Sequence, residues 1–295
     1  MLRTQIAKIL LRIISWLPLP VTHNLGRLLG NSFRWFSSEV SRVARINIDL
    51  CFPDMDDGEK QHLVHESLRQ TGMSILEIGA LWLWPAQKTV DLVQSVSGWE
   101  LMEDAITKGK GVILAAPHLG CWEIVGPYLS QRMPFTILYR PPKLPGLTQI
   151  MLQSRERAGA TLVPTDARGV RALHKALSNG ELIGILPDQD PGEGSGVFAP
   201  FFGIQASTMT LISRLASKNS ATVIAAFAER LPAGRGYHIY FKSAPDCVAD
   251  KDGEKAAICL NQLIEECVRA LPEQYQWGYK RFKTRPAGEK RLYKK

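Results

Sequence analysis

The chain has 295 residues, of which 45% are hydrophobic and 22% charged, the balance of a globular protein with a sizeable core. That length allows one large α/β domain or two small ones, and the composition excludes a disordered or fibrous chain. The formal net charge of +8 gathers at the ends, with seven basic residues against one acidic in residues 1–45 and eight against one in residues 280–295. Such ends suit an anionic membrane surface, a phosphorylated substrate or an acidic protein, or they serve solubility alone. No nucleic-acid module accompanies them.

Taken from the N-terminus, Leu2, Ile6, Ile9, Leu10, Ile13, Ile14 and Leu17 recur at three- and four-residue steps, with Arg3, Lys8 and Arg12 off the stripe. This predicts an amphipathic helix, ended by Pro18 and Pro20. A second stripe follows at Leu25, Leu28, Leu29, Phe33 and Phe36. A membrane span needs about 20 apolar residues. Lys8, Arg12 and the prolines interrupt this one, so a helix lying on a membrane is favoured, the alternative being a helix packed on the protein's own core. No small-residue cleavage site marks a secreted protein. The expected division is residues 1–45 as membrane-associating helices and residues 46–295 as the catalytic domain.

Residues 59–84 read as a helix. Val112 to Pro117 is an unbroken apolar run, the pattern of a strand covered on both faces, and it leads into His118. Ligands of open α/β sheets bind beyond the carboxyl ends of the strands. His118 and Glu123, five residues apart, form a candidate acid/base pair. Within one helix they would face about 140° apart, so they meet only if His118 lies on a strand-to-helix turn and Glu123 in the first turn of the helix. The spacing alone arises often by chance, and the competing reading is a structural histidine at a strand end.

Phe135–Arg140 reads as a second strand, 149–158 as a helix capped by Gly159, 160–164 as a short strand and 170–177 as a helix stopped by Asn179-Gly180. Leu182–Pro187 is another buried strand, closed by Asp188-Gln-Asp190. A helix over 209–216, a buried strand over 222–227, an edge strand over 237–242 and a helix over 259–270 complete the pattern. Strands alternating with helices predict a three-layer α/β domain with a largely parallel sheet. Strand ends at His118, Arg140 and Asp188 would then share one edge and line one cleft. Arg140 also fits a surface ion pair, and Asp188 a turn cap.

Gly192-Glu-Gly194-Ser-Gly196 is not followed by a helix, so it reads as a mobile loop rather than a phosphate loop. Phe198, Phe201 and Phe202 beyond it read as core before channel lining. There is no Gly-x-Ser-x-Gly elbow and no His-Glu-x-x-His set. The five cysteines include no Cys-x-x-Cys pair and their number is odd, which argues against a disulfide framework or zinc site and for a reducing compartment.

Seven segments together carry a resemblance: Arg45-Ile-Asn47-Ile-Asp-Leu-Cys-Phe52-Pro53, Pro117-His118-Leu-Gly-Cys-Trp-Glu123, Tyr139-Arg140-Pro141, Arg155-Glu-Arg-Ala-Gly159, Asp188-Gln-Asp-Pro-Gly192, Phe201-Phe-Gly203 and Trp277-Gly-Tyr-Lys-Arg281-Phe-Lys-Thr-Arg285-Pro286. In this order they resemble the late lauroyl/myristoyl acyltransferases of lipid A biosynthesis. The Phe-Pro-Glu-Gly-Thr-Arg element of the glycerol-phosphate branch is missing, and Asp188–Gly203 stands in its place.

The resemblance implies a glycerolipid-acyltransferase-like fold and a His-x4-acid dyad. It implies an acyl thioester donor, usually acyl-acyl carrier protein, and as acceptor a hydroxyl of a lipid A precursor at the cytoplasmic face of the inner membrane. Another glycolipid or a phospholipid stays open as acceptor. On this reading His118 is the general base and Glu123 accepts a hydrogen bond from its other ring nitrogen. Arg140 and Arg155 bind phosphate, and Asp188 positions an arginine or the acceptor. This chemistry needs no cofactor.

Overall fold

The computed structural model describes residues 2–35, 38–139, 145–192 and 194–294. Four helices open the chain: α1 (Leu2–Ser15), α2 (Leu19–Trp35), α3 (Glu39–Cys51) and α4 (Asp57–Leu83). Ser38 accepts the Ser41 amide at the head of α3. Asp56 and Glu59 form a reciprocal capping box at the head of α4. Helix α2 lies antiparallel along α4, with Gly26 and Gly30 against Gly72 and its neighbours. A Cβ added at Gly72 would stand 2.0 Å from the Gly26 carbonyl oxygen, so this close approach requires glycine. The 45/46 division falls inside α3.

The chain continues through α5 (Ala86–Val90), β1 (Val93–Ser97), α6 (Trp99–Thr107), β2 (Val112–Ala115), α7 (Trp122–Ser130), β3 (Phe135–Tyr139), α8 (Pro145–Arg157), β4 (Ala160–Pro164), α9 (Ala167–Ser178) and β5 (Leu182–Ile185). A hairpin of β6 (Gly196–Phe201) and β7 (Ile204–Met209) follows, then α10 (Leu211–Asn219), β8 (Thr222–Arg230), β9 (Tyr237–Ser243) and α11 (Gly253–Ala270). Seven strands form one sheet in the order β1-β9-β8-β2-β5-β3-β4, every neighbouring pair parallel except β8–β9. Helices cover both faces. Leu114, Leu182 and Phe135 pack on one side with α7, and Ile113, Ile183 and Ile185 on the other with α9 and α10. The α/β class with a mostly parallel sheet is thus the one the alternation implied.

Two expectations are corrected and one is extended. Strand β9 is not an edge, because β1 pairs along its outer side; the polar, half-exposed Val93–Ser97 carries no apolar run to announce it. The apolar element after the glycine-rich loop is a two-stranded antiparallel hairpin, and its Phe201 and Phe202 fill the core as expected, among Phe52, Tyr275, Trp277 and Phe282. Cys247 and Cys259 are joined in a disulfide, although no spacing motif marked them, because the turn at 246–249 folds back onto α11. Cys51, Cys121 and Cys267 are free and buried.

One buried polar cluster ties the N-terminal helices to the sheet. The Arg230 guanidinium at the end of β8 donates to both Glu77 oxygens, to Gln70 Oε1 at 2.7 Å and to Ser74 Oγ at 2.9 Å, all three on α4. Glu77 also accepts from the Tyr237 hydroxyl at 3.0 Å and contacts His23 Nε2 of α2 at 3.2 Å. Burial pushes the Glu77 carboxyl up, but the Arg230 charge and these hydrogen bonds outweigh it and bring the pKa down to about 2. A lowered folded-state pKa contributes stability that is complete above the ordinary value of 4.5 and is lost as pH falls toward about 2. Glu77→Ala, which strands a buried guanidinium, is expected to cost about 3–5 kcal/mol in denaturant unfolding. The wild-type protein should lose stability between pH 4.5 and about 2 more steeply than that variant.

Candidate active site

Strands β2 and β5 are parallel neighbours, with Ala115 opposite Ile185. Three residues past each strand stand His118 and Asp188, so the shared register delivers them side by side. Asp188 grips the histidine twice: Oδ2 accepts the His118 backbone amide at 2.9 Å, and Oδ1 lies 2.8 Å from Nδ1. On the far side of the ring, the Gln189 amide nitrogen lies 3.2 Å from Nε2 and donates to Gln276 Oε1 at 3.0 Å. These partners assign the ring proton to Nδ1 and make Nε2 the unprotonated acceptor of the Gln189 amide. The ring leans on Trp122, centroids 5.0 Å apart.

The Asp188 side chain is 2% exposed and that of His118 14%. Burial raises the Asp188 carboxyl, yet the charge His118 can carry and the hydrogen bonds from its ring and amide prevail and hold it below the usual range. Asp188 is therefore a carboxylate beside an imidazole, the arrangement that steadies an imidazolium. Burial, followed by the nearby Asp188 charge, pushes the Tyr275 phenol well up, so its hydroxyl stays neutral against that carboxylate.

The turn carrying His118 is tightly tied. Gly120 donates to the Gln274 carbonyl and Cys121 to the Ala228 carbonyl, and the His118 carbonyl accepts the Gln276 amide. Gly120 has φ +60°, and a Cβ there would lie 1.9 Å from the Ala228 oxygen, so only glycine makes this turn.

Glu123 does sit in the first turn of α7, where the helix dipole favours it. The expected His118–Glu123 hydrogen bond is not formed. Glu123 accepts Arg155 Nη2 of α8 at 2.6 Å and faces Trp82 Nε1 at 3.5 Å. The physical reason is direction: the sheet register fills Nδ1 with Asp188, while α7 turns Glu123 toward α8. Asp188, expected to meet an arginine or the acceptor, is instead the histidine's partner. Arg155, expected on phosphate, is neutralised by Glu123. Arg140 lies outside the described residues. Gln189, Tyr275 and Gln276 were not singled out from sequence, although each stands in or next to a segment that carries the resemblance.

His118 opens onto a cleft of about 620 Å³ including its mouth, walled by Ser74, Ile75 and Ile78 of α4, by Trp122 and by Tyr275 and Gln276. An unprotonated Nε2 on a carboxylate-backed ring at a cleft is the arrangement general-base catalysis uses. The family description "bacterial lipid A biosynthesis acyltransferase" matches residues 2–284. The chain belongs to that family. These acyltransferases include similar proteins of Escherichia coli (strain K12). The lipid A biosynthesis lauroyltransferase is 31% identical over 278 residues, covering 94% of this chain and 90% of that one. The palmitoleoyltransferase is 31% identical over 281 residues, covering 94% and 90%. The myristoyltransferase is 26% identical over 281 residues, covering 94% and 84%. This lipid A biosynthesis acyltransferase therefore brings His118 together with Asp188 at one sheet edge and leaves Glu123 with Arg155.

Asp188→Asn keeps the shape but turns an amide donor toward Nδ1 and flips the ring tautomer. Acyl-transfer kinetics of the purified variant are expected to show kcat reduced by about 10²–10⁴-fold with a thermal melt close to wild type.

Proposed function

We propose that the protein transfers a fatty acyl chain from an acyl thioester, acyl-acyl carrier protein, to a hydroxyl of a lipid A precursor. The observation that carries this reading is the unprotonated Nε2 of His118 at the cleft, held by the Gln189 amide and backed through Nδ1 by the buried Asp188 carboxylate. Nε2 takes the hydroxyl proton as the oxygen attacks the thioester carbonyl. The new carbon–oxygen bond forms, the carbon–sulfur bond breaks, and the imidazolium returns its proton to the departing thiolate. Asp188 stabilises that imidazolium and holds the tautomer. The ion pair of Glu123 and Arg155 ties the first turn of α7, next to Trp122, to α8.

The acceptor and its membrane belong to the same reading. Ile6, Ile9, Leu10 and Ile13 of α1, Trp16 just past its end, and Leu25 and Leu28 of α2 are each at least two-fifths exposed. Among the described residues no helix is long and apolar enough to cross a membrane. An apolar stripe flanked by Lys8, Arg12 and Arg27 suits an interfacial helix on anionic lipid, at the cytoplasmic face of the inner membrane. Ile75, also exposed, carries apolar surface to the wall of the His118 cleft.

The test is purified full-length protein, acyl carrier protein charged with a fatty acid, and a lipid A precursor bearing free hydroxyls, read by mass spectrometry. Product is expected with wild type. His118→Ala should lower turnover by about 10²–10⁴-fold with the fold intact. Full retained activity in that variant rejects the mechanism. Separately, Ile9→Glu with Leu28→Glu is expected to weaken sedimentation with anionic vesicles by at least about tenfold, since full burial of each such side chain contributes about 1.5–3 kcal/mol. Unchanged vesicle binding removes the interfacial role of these helices.

A further inference from the structure

Gln189 stands between two residues that the fold pins. Asp188 binds the amide and the ring of His118. Asp190, buried on the other side, gives its own amide to the Tyr279 hydroxyl and accepts the Gly192 and Thr284 amides. The backbone at 189 is thereby fixed, and the half-buried side chain is the part left to turn. Its amide nitrogen carries two hydrogens, and both are spent. One is directed at His118 Nε2, 3.2 Å away, and the other goes to Gln276 Oε1 at 3.0 Å. Gln276 is itself anchored, since its backbone amide donates to the His118 carbonyl at 3.2 Å, and it lines the cleft.

Nε2 has one in-plane lone pair, and a base must lie within about 2.6–3.2 Å of the group whose proton it takes. The acceptor hydroxyl and the Gln189 amide therefore compete for one place. When the hydroxyl enters, one amide hydrogen is released beside the reacting atoms, while the second keeps the amide on Gln276. The neighbouring polar groups are committed elsewhere. Gln274 binds the Arg230 amide and carbonyl, and the Tyr275 hydroxyl faces the Asp188 carboxylate.

We propose that Gln189 is a catalytic residue whose amide, displaced from Nε2 by the incoming hydroxyl, donates to the thioester carbonyl oxygen and stabilises the charge that develops there. The proposal rests on the acyl-thioester reading above and adds to it the group that receives the oxyanion. As the hydroxyl oxygen bonds to the carbonyl carbon, its proton passes to Nε2 and the carbonyl π pair moves onto oxygen, where the Gln189 N–H holds it. The pair returns as the carbon–sulfur bond breaks, the thiolate takes the proton from Nε2, and the amide goes back to the ring. Gln276 is a positioning residue that aims the amide through its second hydrogen.

The experiment starts from full-length Gln189→Met, which keeps the length of the side chain and removes the donor. With acyl carrier protein charged with a saturated fatty acid and a lipid A precursor, kcat is expected to fall by about 10²–10³-fold, with KM changed by less than about threefold and a melt close to wild type. A second measurement is the infrared carbonyl band of the same acyl carrier protein, isotopically labelled at the thioester carbonyl and bound to His118→Ala. The band is expected to lie at lower frequency than in buffer, and adding Gln189→Met is expected to return it toward the buffer position. A role confined to steadying the imidazole leaves that band alone, because the imidazole is gone. Wild-type kcat in Gln189→Met overturns the proposal, and so does a fall in kcat with the band unmoved. If Gln189→Met does not fold, Gln276→Met takes its place, with about a tenfold loss of kcat and the same direction of band movement expected, and an unmoved band again overturning the proposal. Wild-type protein that turns over no thioester with any precursor overturns the functional reading beneath it.

Discussion

Two parallel strands in register hold an imidazole against a buried carboxylate, and the rest of the molecule is arranged around that pair. His118 and Asp188 come from positions 70 residues apart, yet each lies three residues beyond a strand whose neighbour is the other's. The backbone amide of His118 is bound by the same carboxylate as its ring, so position and tautomer are set together. A desolvated carboxylate is costly unless it is paired and hydrogen-bonded, and this one is both. The result is an imidazole at the cleft whose orientation is set before any substrate arrives.

Much of the chain outside the sheet keeps that edge in shape. The segment at 274–277 bonds the histidine turn at Gly120 and His118, while Gln274 also binds the Arg230 amide and carbonyl. Arg230 in turn is clamped by α4 through Glu77, Gln70 and Ser74. Asn47 of α3 donates to the Trp277 and Tyr279 carbonyls, and the Tyr279 hydroxyl accepts the Asp190 amide next to the site. Arg281, one of the basic C-terminal residues, is buried on the Ser207 carbonyl and the Thr208 hydroxyl, so part of the charge at that end is structural. A path of hydrogen bonds thus joins the helices with exposed apolar faces to the turn bearing the base.

Greasy surface and greasy interior meet near the same place. Helices α1 and α2 pack on α4 and leave apolar side chains exposed, Ile75 and Ile78 of α4 wall the cleft, and α7 covers an apolar slot that shares Trp122 with it. An enzyme that joins a fatty chain to a lipid must hold two apolar partners without exposing its reacting atoms to bulk water. Trp122 lines both spaces, with His118 on the wall of the cleft and the Glu123–Arg155 pair on the wall of the slot.

The largely apolar runs at 112–117, 182–187 and 222–227 marked three adjoining strands, because a strand buried on both faces leaves a near-continuous apolar signature. Strand β1 left none, being polar and half exposed, and was recognised only by its pairing. His118 and Asp188 were legible as strand-end residues bound for one edge, and Gly120 as the turn between strand and helix. Their mutual bond was not, and a short sequence spacing favoured Glu123 in its place. The Cys247–Cys259 disulfide was equally silent, since nothing local brings those thiols together. Sequence by itself determined the fold class, the family and the histidine, because burial patterns and motif order are written along the chain. Which carboxylate that histidine holds was decided only by tertiary structure, because strand order and register are properties of pairs of segments far apart in the chain.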